Sequence, residues 1–199
     1  EVFELCQSGK QRRKNELFRR AEDITTKPVR LYEAGNGTQN SNEPKTDTMI
    51  KKELLLGDEA IAWGALNAGL SGVYAYPGTP STEITEFIQM HPLTRERGIH
   101  CNWSANEKTA LEAALGMSFV GKRALVCMKH VGMNVCADAF VNSAMTGANG
   151  GLVVVAADDP SMHSSQNEQD SRFYGKFAMV PIFEPCLLYT SPSPRDRQK

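Results

Sequence analysis

"LVVVAADD", Leu152 to Asp159, is an unbroken apolar run of six residues stopped by two aspartates. A strand with one wet face alternates apolar and polar residues. A continuous apolar run of this length instead reads as a strand buried on both faces, which is the habit of parallel sheets. Working outward, "ALVCM" (Ala124 to Met128) repeats the signal, and shorter strands are expected at Val73 to Tyr76 and Ile99 to Trp103. Between them, apolar residues at helical spacing predict helices at Glu59 to Leu70, Pro80 to Met90, Glu107 to Phe119 and around Met133 to Thr146. Strands alternating with helices predict a doubly wound α/β fold: a mainly parallel sheet with helices on both faces.

The composition allows one such domain. The chain has 199 residues, 41% hydrophobic and 23% charged, with a formal net charge of -1. That balance argues against a polyanion-binding protein, so no nucleic-acid partner is expected; the basic cluster from Lys10 to Arg20 reads as a solvated tail. No stretch is long and apolar enough to span a bilayer and no signal-peptide pattern opens the chain, so neither a membrane partner nor secretion is expected, and a cytoplasmic location is. The five cysteines contain no CxxC pair, so no metal site is expected from them. Residues 1–48 lack periodicity and are expected to be a disordered or non-native extension. The α/β domain is expected over 49–185. Residues 186–199, with "SPSPRDRQK", read as a non-native tail.

In open parallel sheets, ligands bind outside the carboxyl ends of the strands. The segments due there are "PGTPS", "SANEK", "KHVGMN" and "DDPSMHSSQNEQDSR", all polar, whereas the opposite edge carries plain glycine turns such as "AGLSG" and "TGANGG". In the first of these segments Thr79 is expected to cap the helix that Pro80 begins.

Familiar nucleotide motifs do not account for that edge. Gly116 to Lys122 fits the start of a P-loop, but Arg123 replaces the magnesium-holding Ser or Thr and the stretch ends a helix instead of opening one; Gly121 reads as a helix C-cap. Neither GxGxxG nor GxSxG occurs. Glu107 sits in the first turn of a helix, where the helix dipole favours an acid, with Ser104 or Asn106 as cap. Its helix is small and apolar nearly all round and so is expected to be buried, which makes the carboxyl costly to ionise unless paired and leaves it able to keep a proton. Glu112 is expected to pair with Lys108 four residues away. Lys129, His130 and His163 fall at the same sheet edge, as solvated loop residues or as binders of an anion or a carbonyl oxygen.

"LLLGDEAIAWGAL", "YPGTPSTEI", "WSANEKTALEAALGMSFVGKRALVCMKHVGMNV" and "GLVVVAADDPSMHSSQNEQDSRFYGKFAMVPIFEP" together resemble the start of the alpha subunit of indolepyruvate ferredoxin oxidoreductases, over Met49 to Pro185. "YPGTPS" is more distantly similar to the corresponding turn of pyruvate and 2-oxoglutarate ferredoxin oxidoreductases. The resemblance implies a thiamine diphosphate-binding fold, in particular its pyrimidine domain, in an enzyme that oxidatively decarboxylates aryl pyruvates to aryl-acetyl-CoA and reduces ferredoxin. It implies that Glu107 hydrogen-bonds the aminopyrimidine ring and promotes its imino tautomer. It implies cofactor-binding roles for Tyr76, Pro77, Thr79 and Asn134, and substrate-binding roles for Thr79, Lys129, His130 and His163.

The resemblance also implies partners: the rest of the same subunit, a smaller beta subunit, ferredoxin, an aryl pyruvate and coenzyme A. The magnesium ligands that follow a GDG, and a cysteine-rich tail holding iron-sulfur clusters, are not in this sequence and are expected elsewhere in the protein, which leaves the fragment alone inactive. A non-catalytic, flavodoxin-like anion- or nucleotide-binding module, with Glu107 as a mere helix-cap acid, is the alternative that the residues leave open.

Overall fold

The structure, a computed structural model, describes residues 2–5 and 55–184. The chain divides into two compact units, and the sheet and its helices belong to the unit formed by Glu1–Ser8 and Leu56–Lys199. Expectations for residues 6–48 and 186–199 lie outside the described residues.

Four strands run parallel in the order β3-β2-β4-β5: β2 (Gly72–Ala75), β3 (His100–Trp103), β4 (Ala124–Lys129) and β5 (Leu152–Ala157). The register aligns Ala75 with Cys127 and Lys129 with Ala157, so the strands end near one line. β1 (Val2–Leu5) lies antiparallel on β5, and β6 (Ile182–Phe183) lies antiparallel on β1. Val2–Leu5 falls in the stretch expected to hold no element. Its short apolar sequence pairs with the outer edge of β5, whose backbone groups need partners.

Among the described residues are six helices, α1 (Gly57–Asn67), α2 (Thr82–Met90), α3 (Pro92–Glu96), α4 (Glu107–Phe119), α5 (His130–Thr146) and α6 (Arg172–Ala178), with a 3-10 turn at Pro160–Met162. The pleat sends alternate residues of each strand to opposite faces. Leu125, Cys127 and Val155 pack with Ala62 and Leu66 of α1 and with Ile84 and Ile88 of α2. Val126, Met128, Val154 and Ala156 pack on the other face with Leu111 of α4 and with Met133, Cys136 and Phe140 of α5. Both faces are therefore dry, as the unbroken run in β5 requires.

Three details differ from the sequence expectation. α2 starts at Thr82, not Pro80. α5 starts at His130, so "KHVGMN" is the end of a strand and the first turn of a helix, with no loop between. α4 is not buried all round, because Glu112, Ala113 and Gly116 are not buried on its outer side. Lys108 accordingly reaches past Glu112 to Asp138 of α5, at 2.9 Å.

Candidate active site

β2 passes the chain to β3 on one side and β4 passes it to β5 on the other, so the switch point of the sheet opens between the carboxyl ends of β2 and β4. Tyr76 to Pro80 leave the first end and Lys129 leaves the second. The turn after β2 is fixed from within. The Ser81 N–H and hydroxyl both donate to the Gly78 carbonyl, each at 2.8 Å, and the Gly78 N–H donates to Thr82 Oγ1 at 2.9 Å. Thr79 therefore caps nothing: Ser81 stands at the cap position and Thr82 closes the turn, leaving Tyr76, Pro77 and Thr79 exposed at the edge. The Thr79–Pro80 peptide is cis.

The β4–α5 junction touches every other segment of this edge. A Cβ on Gly78 would stand 3.3 Å from Lys129 Cβ, so the β2 turn lies against the lysine stem. Lys129 Nζ donates to the Ser164 carbonyl in the long segment after β5. His130 is fully buried; its Nε2 lies 2.9 Å from the Asn167 carbonyl, and its own carbonyl accepts from Gln169 Nε2 at 2.6 Å. Asn134, one turn on, donates to Gln169 Oε1 at 3.0 Å and accepts from the Tyr174 hydroxyl. The segment after β5 is thus strapped to the first turn of α5 by both backbone and side-chain bonds.

Glu107 comes from the third side. Asn106 caps α4 through a reciprocal pair, its Oδ1 accepting from Thr109 N at 2.9 Å and its N–H donating to Thr109 Oγ1 at 3.3 Å. That cap sets Glu107 as the first helical residue, only 8% exposed. Its side chain lies on the Cα of Gly132: a Cβ there would stand 2.6 Å from Glu107 Cγ and 2.7 Å from Oε1. Among the described residues no donor meets the Glu107 carboxyl. His130 Nδ1, two residues from Gly132, is buried with no hydrogen-bond partner among the described residues.

The strap is braced by the two aspartates that follow β5. Asp158 accepts from the Ser171 N–H at 3.1 Å. Asp159 accepts from the Ser165 hydroxyl and from the N–H groups of Ser164 (2.8 Å) and His163 (3.2 Å), and these bonds, that of Ser165 foremost, hold its carboxyl down to about 2. At the same edge the first turn of α1 carries Asp58, whose carboxyl is raised by burial first and then by repulsion from Glu83 and Glu59.

Of the residues singled out from sequence, Lys129, His130 and Asn134 are gathered at the junction, and Glu107 lies against the same turn of α5. His163 is exposed in the strap and enters it through its backbone. His130 is neither a solvated loop residue nor open to a ligand on Nε2. Gly78, Gly132, Asn167, Gln169 and Tyr174 escaped the sequence reading. The glycines carry no side chain to notice, and the other three act through contacts 35 to 40 residues away along the chain. Among the described residues no group of His, Cys, Asp and Glu has the arrangement of a metal site. None of the described helices is long and apolar enough to cross a membrane.

A parallel α/β domain with polar groups gathered at its switch point is of the ligand-binding, doubly wound class. No protein-family model matches the chain. It is 52% identical over 149 residues to the indolepyruvate oxidoreductase subunit IorA of Archaeoglobus fulgidus, a match covering 74% of this chain and 24% of the relative. It is also 52% identical over 135 residues to IorA of Thermococcus kodakarensis, covering 68% of this chain and 21% of the relative. A solved 2-oxoglutarate:ferredoxin oxidoreductase from Magnetococcus marinus, with 2-oxoglutarate, coenzyme A and succinyl-CoA bound, aligns at a TM-score of 0.47 and 20% identity, over 62% of this chain and 25% of that one. Over these residues the chain is similar to IorA subunits of indolepyruvate oxidoreductases, and it spans about a quarter of the length of the curated relatives it matches.

Proposed function

We propose that the chain is the pyrimidine-binding domain of a thiamine diphosphate-dependent aryl 2-oxoacid ferredoxin oxidoreductase. One observation carries the proposal: Glu107, a residue only 8% exposed at the carboxyl edge of the sheet, has no donor among the described residues on its carboxyl. Its carboxyl offers an acceptor that no group among the described residues occupies. An aminopyrimidine ring nitrogen supplies the partner it lacks, so the residues present fit the cofactor. When bound, thiamine diphosphate supplies an electron sink for the carbanion left as a 2-oxoacid loses carbon dioxide.

Glu107 then holds or moves a proton at that ring nitrogen, and the dry α4–α5 contact keeps water from taking its place. Tyr76, Pro77 and Thr79 form an exposed wall beside the cofactor, and Asn134 supports it from α5. Lys129 offers a positive charge toward the substrate carboxylate, with His130 and His163 on the same side. The magnesium ligands and the iron-sulfur clusters are assigned to the part of the relatives' length that this chain does not span, together with the contacts to the beta subunit, ferredoxin and coenzyme A. Indolepyruvate is the substrate that the relatives' name supports, and a cytoplasmic location suits the free thiols of Cys127 and Cys136.

The test is Glu107→Gln in the complete enzyme. It keeps the shape of the side chain but cannot exchange a proton, so turnover should fall by roughly 100-fold or more while the melting temperature holds. Turnover close to that of the unaltered enzyme would refute the assignment.

A further inference from the structure

We propose that Gly132 is the positioning residue for Glu107: the absence of a side chain there defines where the carboxyl lies. The proposal rests on the reading of Glu107 as the cofactor-facing acid and adds a second residue to it. Gly132 lies in the first turn of α5 with ordinary helical backbone, so no left-handed conformation calls for glycine. Glycine is a poor helix former, and other helical glycines of this chain, Gly64 and Gly116, face open space. At Gly132 the space is filled instead, by Glu107 Cγ, Oε1 and Cδ at 2.6, 2.7 and 2.9 Å from a Cβ built there.

All three of these atoms belong to one side chain, and none is backbone. An added methyl must therefore displace the Glu107 side chain from Cγ outward. Gly132→Ala should separate the position of the acid from the integrity of the fold. Glu107→Asp shortens the acid by one methylene and withdraws it from the added methyl, so the two substitutions should compensate.

The test uses the complete enzyme with Gly132→Ala, Glu107→Asp, both or neither. Gly132→Ala should lower kcat roughly 100-fold, the scale of a misplacement near 1 Å, with KM for the aryl pyruvate changed little and the fold retained, its melting temperature lowered by at most a few degrees. In the Gly132→Ala background Glu107→Asp should restore kcat by roughly tenfold, although alone it lowers kcat. Effects that simply multiply would show that Gly132 does not act through Glu107 and would overturn the proposal, as would a near-normal kcat for Gly132→Ala. A crystal structure of the complete Gly132→Ala enzyme, prepared without cofactor, reads the position of the carboxyl directly. A displacement of about 1 Å or more supports the positioning role and an unmoved carboxyl overturns it, whichever way the Glu107→Gln test of the function falls.

Discussion

His130 Nε2 faces the Asn167 carbonyl, and a carbonyl can only accept, so Nε2 is the donor in this bond. His130→Ala should remove that bond and leave a cavity under the strap, destabilising the protein by about 2 kcal/mol and speeding amide exchange across residues 163–171. Unchanged exchange there would show that the strap does not depend on His130. Asp159 makes a second residue-scale prediction. Its carboxyl is held down to about 2, chiefly by the Ser165 hydroxyl and the Ser164 N–H. Because the folded value lies below the unfolded one, its contribution is complete above about pH 4 and fades as pH falls toward 2. Exchange in the strap should therefore rise across that window in the wild type, and Asp159→Asn should flatten the response. The thiols behave oppositely. Burial pushes Cys127 and Cys136 up to about 12, so both should resist alkylation at pH 8 until the protein is unfolded.

At the scale of elements, α4 depends on its cap and the strand connections on close backbone approach. Asn106→Ala removes one half of a reciprocal cap and should cost about 1 kcal/mol in a urea melt. Gly150→Ala should cost about 1–3 kcal/mol, because its Cβ would fall 2.1 Å from the Lys122 carbonyl oxygen, a backbone atom that cannot rotate away. These same elements explain how far sequence carries. The strand Leu152–Ala157 and the helix Glu107–Phe119 are legible to the residue because each is bounded by a local signal, the paired aspartates after one and the Asn106 cap before the other. The start of α5 is not, since "HVGMN" is poor in helix formers and its first turn is held by the strap, a contact absent from any local window. α3, α6 and β6 are short, with lengths of five, seven and two residues, and too brief to show a period. Glu107 is legible as a buried acid at a sheet edge, but the glycine that shapes its seat is not.

At the scale of the molecule, the chain holds one wall of the proposed cofactor site and spans about a quarter of its relatives' length. The chain alone should show no magnesium-dependent binding of thiamine diphosphate by calorimetry, and the complete enzyme should; tight binding by the chain alone would mean that the diphosphate ligands lie within it. The joint between β4 and α5 has a mechanical meaning. Loops absorb movement, and at this joint none exists: Lys129 ends the strand and His130 begins the helix. The helix and the end of the strand turn as one lever, with the Lys108–Asp138 pair bearing on its shaft from α4. A tilt of α5, however caused, is delivered undamped to the lysine stem, the imidazole and the glycine seat together, so this edge of the sheet adjusts as a unit or not at all.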